Sequence, residues 1–195
     1  MQKRLSLSAL LLFLAFCLTG IQPQPAFSSA TPAEGGIFPD LMLPLPNRVE
    51  EREYLAVEEG PFLLSQIKAD VVVLEIFNMY CPHCQKDAPN VNGLYQAVLS
   101  RPDLKSKIKV IGVGAGNTPF EINAYKNLYR VQFPLLPDGN YAVHKAVGEV
   151  GTPYYFVLQK KAGGWQVVYS RAGSFGDPWA FLQTIAAKTG IGKKK

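Results

Sequence analysis

The sequence predicts an α/β fold, a mixed central β-sheet with helices on both faces, and three observations carry the prediction. Residues 71–77 (Val-Val-Val-Leu-Glu-Ile-Phe) form a β-branched, almost wholly apolar run, as a strand covered on both faces requires. Strand-like and helix-like segments alternate after it. The last part of the chain reads as a hairpin followed by one more helix, which completes a mixed sheet rather than an all-parallel one.

In chain order, residues 31–50 are rich in Pro and Gly and read as an extended lead-in with little helix. The strand at 71–77 leads straight to Cys81. From residue 82 to about 99 the spacing of Val91, Leu94, Tyr95 and Val98 is helical, with Pro82 at the first helical position and Pro89 expected to kink the helix. A second apolar strand at 108–113, a turn at 114–119 and a helix at about 120–130 repeat the rhythm. A short strand is expected at 133–136, a short helix at 140–147 and the next strand at 154–158, after Gly151-Thr152-Pro153. A turn at Gly163-Gly164 returns the chain as a strand over 165–171. Asp177 can cap a last helix that carries Pro178 at its first position and turns Phe181, Leu182 and Ile185 inward.

The chain has 195 residues, and its N-terminus reads as an export signal. Lys3 and Arg4 precede an apolar stretch, a Pro-rich spacer and Ser28-Ser29-Ala30, so residues 1–30 are expected to be a signal peptide cleaved after Ala30, leaving one domain over 31–195. An uncleaved membrane anchor is the alternative, because the stretch approaches the roughly 20 residues that a span needs. Phe16 directly before Cys17 argues against lipidation. The location that follows is the periplasm or another extracytoplasmic space. With Lys3 and Arg4 removed, the formal charge of +5 falls to +3, an excess that Lys193, Lys194 and Lys195 account for. A solvated basic tail explains it, and no nucleic-acid partner is expected.

If Cys17 leaves with the signal, Cys81 and Cys84 are the whole cysteine content in an oxidising compartment, too few for a structural framework. At the junction of strand and helix, the first sulfur meets unpaired helix N–H groups and the positive end of the dipole, which favour a thiolate. Cys81 is therefore the expected nucleophile and Cys84, one turn along, the resolving thiol. His83 between them can add positive charge near Cys81, which stabilises the reduced form and makes the couple more oxidising. Glu75, alone in an apolar strand, should be buried with a raised pKa, fit to take a proton from Cys84 and return it. Tyr80 is expected to frame the substrate surface. A zinc site lacks ligands, since only His83 and the distant His144 could join the two thiols. Haem attachment is excluded because Gln85, not His, follows the second cysteine. No metal and no cofactor beyond the redox-active disulfide Cys81–Cys84 is expected, and His144 is read as a surface or packing residue.

A strand ending in Cys81-Pro82-His83-Cys84, with Glu75 ahead of it, Pro89 after it and Thr152-Pro153 downstream, resembles the thioredoxin superfamily. The resemblance implies a thioredoxin-like fold, a cis Thr152-Pro153 bond facing the cysteines, and a substrate strand that pairs with the backbone beside Pro153. Within the superfamily the chain looks most like exported thiol:disulfide oxidoreductases of the TlpA/ResA type, which share with peroxiredoxins an insertion like residues 108–138 here. Peroxidase activity is not implied, because Leu74 and Asn78 stand where that chemistry has Pro and Thr or Ser. Tyr80 replaces the Trp of many relatives, and the Pro-His dipeptide is that of DsbA-like oxidases. The expectation is an enzyme exchanging disulfides with exported, cysteine-containing proteins, leaning towards reduction and served by a membrane electron donor or acceptor. Alternatives are a DsbA-like oxidase and a Sco-like copper module using Cys81, Cys84 and His144.

Overall fold

A computed structural model describes residues 30–192, so the export-signal and anchor readings of residues 1–30, with Cys17, and the Lys193–Lys195 tail fall outside the described residues, Ala30 apart. Among the described residues no helix is long and apolar enough to cross a membrane.

The architecture is the predicted mixed α/β fold. Its centre is β3 (Val71–Phe77), every residue of which is buried, because parallel β4 (Ile108–Ala115) lies on one side and antiparallel β6 (Tyr154–Lys161) on the other. Beyond β4 comes parallel β5 (Leu135–Asp138), and beyond β6 antiparallel β7 (Gly164–Ala172), giving the order β5-β4-β3-β6-β7. Alternation along β3 divides the core. Val72, Leu74 and Ile76 join the cluster that holds Phe38, Leu43 and Phe156, whereas Val71, Val73 and Phe77 join the one built with α2 (Pro82–Leu99), α3 (Pro119–Leu128) and α5 (Pro178–Thr189). The first face is covered by the lead-in, with its two-stranded ribbon β1 (Met42–Leu43) and β2 (Phe62–Leu63), by α1 (Val49–Leu55) and by α4 (Ala142–Ala146).

Local signals set the helix starts. Pro82, Pro119 and Pro178 each open a helix, Thr118 and Glu121 close a reciprocal capping box on α3, and the Asp177 carboxylate accepts from the Ala180 N–H. α2 runs on past Pro89, and Gly93 lets it approach α5, since a Cβ there would lie 2.8 Å from the Pro178 ring. A helix that the pattern does not signal, α1, begins as the lead-in ends, and the buried pair Glu51–Lys126 ties it to α3 at 2.8 Å. One expectation needs correction. The strand expected at 133–136 lies at Leu135–Asp138, because the register of Gly112 to Ala115 on β4 selects those residues.

Candidate active site

β3 ends at Phe77, and four residues later Cys81 stands as the N-cap of α2 with extended backbone angles (φ −77°, ψ 116°). Pro82 has no N–H to leave unpaired, and the remaining first-turn N–H groups face the Cys81 sulfur. The turn between is fastened from the end of β4. Asn78 Nδ2 donates to the Ala115 carbonyl at 2.8 Å, Met79 N to Asn117 Oδ1 at 2.9 Å, and Tyr80 N to Asn78 Oδ1 at 2.8 Å. Gln85 Nε2 then donates to the Met79 carbonyl at 2.8 Å, so the helix holds the turn that precedes it.

The two thiols are both free and have opposite surroundings: Cys81 is half-buried and Cys84 fully buried. The Cys81 thiol donates to the Thr152 carbonyl at 3.2 Å. Burial alone would push Cys81 up, but hydrogen bonding from the Thr152 side chain, from the backbone and thiol of Cys84, and from the backbone of His83 outweighs it and holds the thiol below its ordinary value. Cys84 is driven far above its ordinary value, first by burial and then by its hydrogen bond to Cys81 and the nearby Glu75 carboxyl, against the Asn78 backbone bond that lowers it. The His83 backbone is thus one of the groups that favour the Cys81 thiolate, and the exposed His83 lines a groove shared with Lys86, Asp87, Asn90, Pro153 and Ser174.

The Thr152–Pro153 bond is cis, and Thr152 faces Cys81 while Pro153 borders His83. Thr152 divides two depressions. One, of about 420 Å³, is the His83–Ser174 groove; the other, of about 400 Å³, contains Cys81, Asn78, Tyr80, Tyr141 and His144. Tyr80 is 65 % exposed at the rim, its hydroxyl donating to Glu121 at the start of α3. His144 is half-buried, with Nε2 2.8 Å from the Val150 carbonyl. Among the described residues no three His, Cys, Asp or Glu side chains are grouped to hold a metal ion.

Beneath the sulfurs lies a buried acidic cluster. Glu75 is 4 % exposed and its carboxyl is pushed up to about 8, mainly by desolvation, against the Tyr155 hydrogen bond that lowers it and with the Asp87 carboxyl and Cys81 adding to the rise. Glu75 and Tyr155 are register partners on β3 and β6, and Tyr155 Oη lies 3.2 Å from Glu75 Oε1. The same hydroxyl donates to Asp87 Oδ2 at 2.6 Å, and Asp87, on α2, is 2 % exposed. Asn90 Nδ2 and Ser174 Oγ donate to the other Asp87 oxygen. Sequence reasoning singled out Glu75 and missed Asp87, Tyr155, Asn78 and Asn117. For Asp87 a signal existed, since it lies one turn after Cys84 on the face that carries Val91 and Leu94.

The AhpC/TSA family pattern matches residues 35–163. Thiol-disulfide oxidoreductase ResA of Bacillus thuringiensis subsp. konkukian is 26 % identical over 98 residues, which are 50 % of this chain and 53 % of that protein; the Bacillus cereus ResA gives the same values. The chain thus spans about half the length of the curated relatives it matches. Among solved structures, a Chlorobium tepidum protein assigned as thiol:disulfide interchange protein DsbE superposes with a TM-score of 0.63 at 19 % identity, covering 82 % of this chain and 99 % of that one. A thiol:disulfide interchange protein from Bacteroides sp. gives 0.61 at 13 % identity, over 84 % and 94 %. At such identities the structures speak for the fold, which is thioredoxin-like.

Proposed function

Because the chain belongs to the AhpC/TSA family, we propose that it is a thiol:disulfide oxidoreductase that acts outside the cytoplasm on cysteine-containing exported proteins. The observation that carries the reading is the asymmetry of the pair: an accessible Cys81 held below its ordinary pKa beside a buried Cys84 held far above. One sulfur is prepared to attack, and the other waits until it is deprotonated.

In the reducing direction the Cys81 thiolate attacks a substrate disulfide. A Cys81–substrate S–S bond forms, and the other substrate sulfur leaves as a thiolate that takes a proton from water. Cys84 then loses its proton to the Glu75 carboxylate and attacks the Cys81 sulfur. The mixed disulfide breaks, the second substrate thiolate departs, and the protein is left with the Cys81–Cys84 disulfide, so two electrons have passed to the substrate. A carboxyl with a pKa of about 8 suits that proton transfer near neutrality. Thr152 and Pro153 present backbone to the incoming chain, with Tyr80 at its edge. Leu74 is packed in the core and Asn78 is engaged with Ala115 and Tyr80, which favours disulfide exchange over peroxide reduction.

Reduction is the preferred direction, with a membrane electron donor restoring the thiols. Brief alkylation of the reduced protein near pH 6, read by mass spectrometry, is expected to label Cys81 first; prior labelling of Cys84 would overturn the assignment. Acid trapping in cells is expected to find the pair mostly as thiols. A fully oxidised pair would reverse the direction to that of an oxidase.

A further inference from the structure

A buried proton acceptor needs a way to exchange with water, and Glu75 has none of its own, being closed in by β3, β6 and α2. Two oxygen-bearing side chains lead away from it. Tyr155 Oη lies 3.2 Å from Glu75 and 2.6 Å from Asp87. A phenol has a single proton, and the shorter contact places it on the bond to Asp87. The Tyr155 oxygen then accepts from Glu75 whenever that carboxyl is protonated. Asp87 in turn lines the groove of about 420 Å³ that is open to solvent, where Asn90 and Ser174 donate to its outer oxygen. With Glu75 protonated, the hydrogen bonds run in one sense from Glu75 through Tyr155 to Asp87, which borders the groove.

We infer that Tyr155 and Asp87 form a proton path joining Glu75 to the solvent-filled groove on the Pro153 side of the site. When Cys84 has given its proton to Glu75, Glu75 passes a proton to the Tyr155 oxygen as Tyr155 passes its own to Asp87, and Asp87 releases one to water. The hydroxyl is left neutral and Glu75 returns to carboxylate. The reverse sequence supplies the proton when the disulfide is reduced and Cys84 leaves as a thiol. The groups facing Glu75 are Tyr155 from β6, Asp87, Cys81 and Cys84 from the start of α2, and Tyr125 from α3, whose hydroxyl donates to the Cys84 carbonyl. Tyr155 and Asp87 are positioning residues here, since they reach the sulfurs through Glu75, and the inference rests on the reading of Glu75 as proton acceptor.

The test follows resolution of a preformed mixed disulfide between Cys81 and thionitrobenzoate, whose release is read by absorbance after rapid mixing. Tyr155→Phe removes one oxygen and keeps the ring, and is expected to slow release at pH 7 by about tenfold or more, as general acid–base contributions of this kind run. Asp87→Ala is expected to slow it similarly, and Asp87→Glu to restore much of the rate. Added formate should rescue Asp87→Ala in a concentration-dependent way, because the groove admits a small carboxylic acid; a purely structural role would give no such rescue. Should Asp87→Ala not fold, Tyr155→Phe alone decides. Slow release in Glu75→Gln together with wild-type rates and pH profile in Tyr155→Phe would overturn the path and leave Glu75 standing. Wild-type release in Glu75→Gln would overturn both.

Discussion

The two faces of β3 are equally dry and differ in what they admit. Val72, Leu74 and Ile76 belong to a cluster of buried hydrophobic side chains that includes Phe38, Leu43 and Phe156. On the opposite face, Val71, Val73 and Phe77 surround Glu75, which meets Tyr155 and, through it, Asp87. A carboxyl on the first face would have no partner, at a cost of several kcal/mol. On the second, Glu75 Oε1 meets Tyr155 and both Asp87 oxygens accept hydrogen bonds, and desolvation appears as a displaced pKa. Burial on one side serves stability alone, and on the other it also sets a proton affinity.

The comparison breaks if the apolar face answers to pH or the acidic face does not. The largest effect is expected from Leu74→Ala, a fully buried side chain, which should cost about 2–5 kcal/mol in urea unfolding with no change in the shape of the stability–pH curve. Next comes Glu75. Its carboxyl holds a proton up to about pH 8 in the folded protein, against 4.5 for an exposed glutamate. Between those values the folded state binds more protons than the unfolded one. This contribution is therefore fully present below the lower value and lost as pH rises through the window, by up to about 1.4 kcal/mol per pH unit. Measured in the reduced protein with Cys81→Ser, so that the depressed thiol does not titrate as well, stability should fall between pH 5 and 8, and Glu75→Gln should flatten the curve. A sloping curve in Glu75→Gln would assign the effect to another group. The smallest effect is expected from Tyr125→Phe, which loses the 3.0 Å bond to the Cys84 carbonyl and should cost about 1 kcal/mol while leaving the slope in place.

Continuous signals were readable in the chain. The run at Val71–Phe77, the prolines that open α2, α3 and α5, and the Asp177 cap act within a few residues of themselves, and the structure places those elements where the pattern does. Glu75 stood out because one carboxylate in an apolar strand breaks a local rule. Its partners did not. Tyr155 reads as core in an apolar strand and Asp87 as an ordinary polar helix position; they are 68 residues apart in sequence and meet only through β6 pairing with β3. α1 was missed because seven residues with four charges carry little apolar periodicity, and the pair that holds it, Glu51 with Lys126, is again a contact between distant segments.

The order in which the sheet can close adds a dimension of time. β3 finds β4 within the β3-α2-β4 unit, with Val71 opposite Ile108, but its other neighbour comes much later in the chain, with Val71 opposite Gln159. A polypeptide emerging amino-terminus first can therefore wind α2 behind Cys81 before Thr152 and Tyr155 exist outside the ribosome, and closing the longer loop is the slower event. Until β6 docks, Cys81 lacks the Thr152 contact, and Glu75 faces water with an ordinary acidity. Newly made chains thus begin life as simple dithiols, and the reactivity of the pair matures only when the last quarter of the chain arrives.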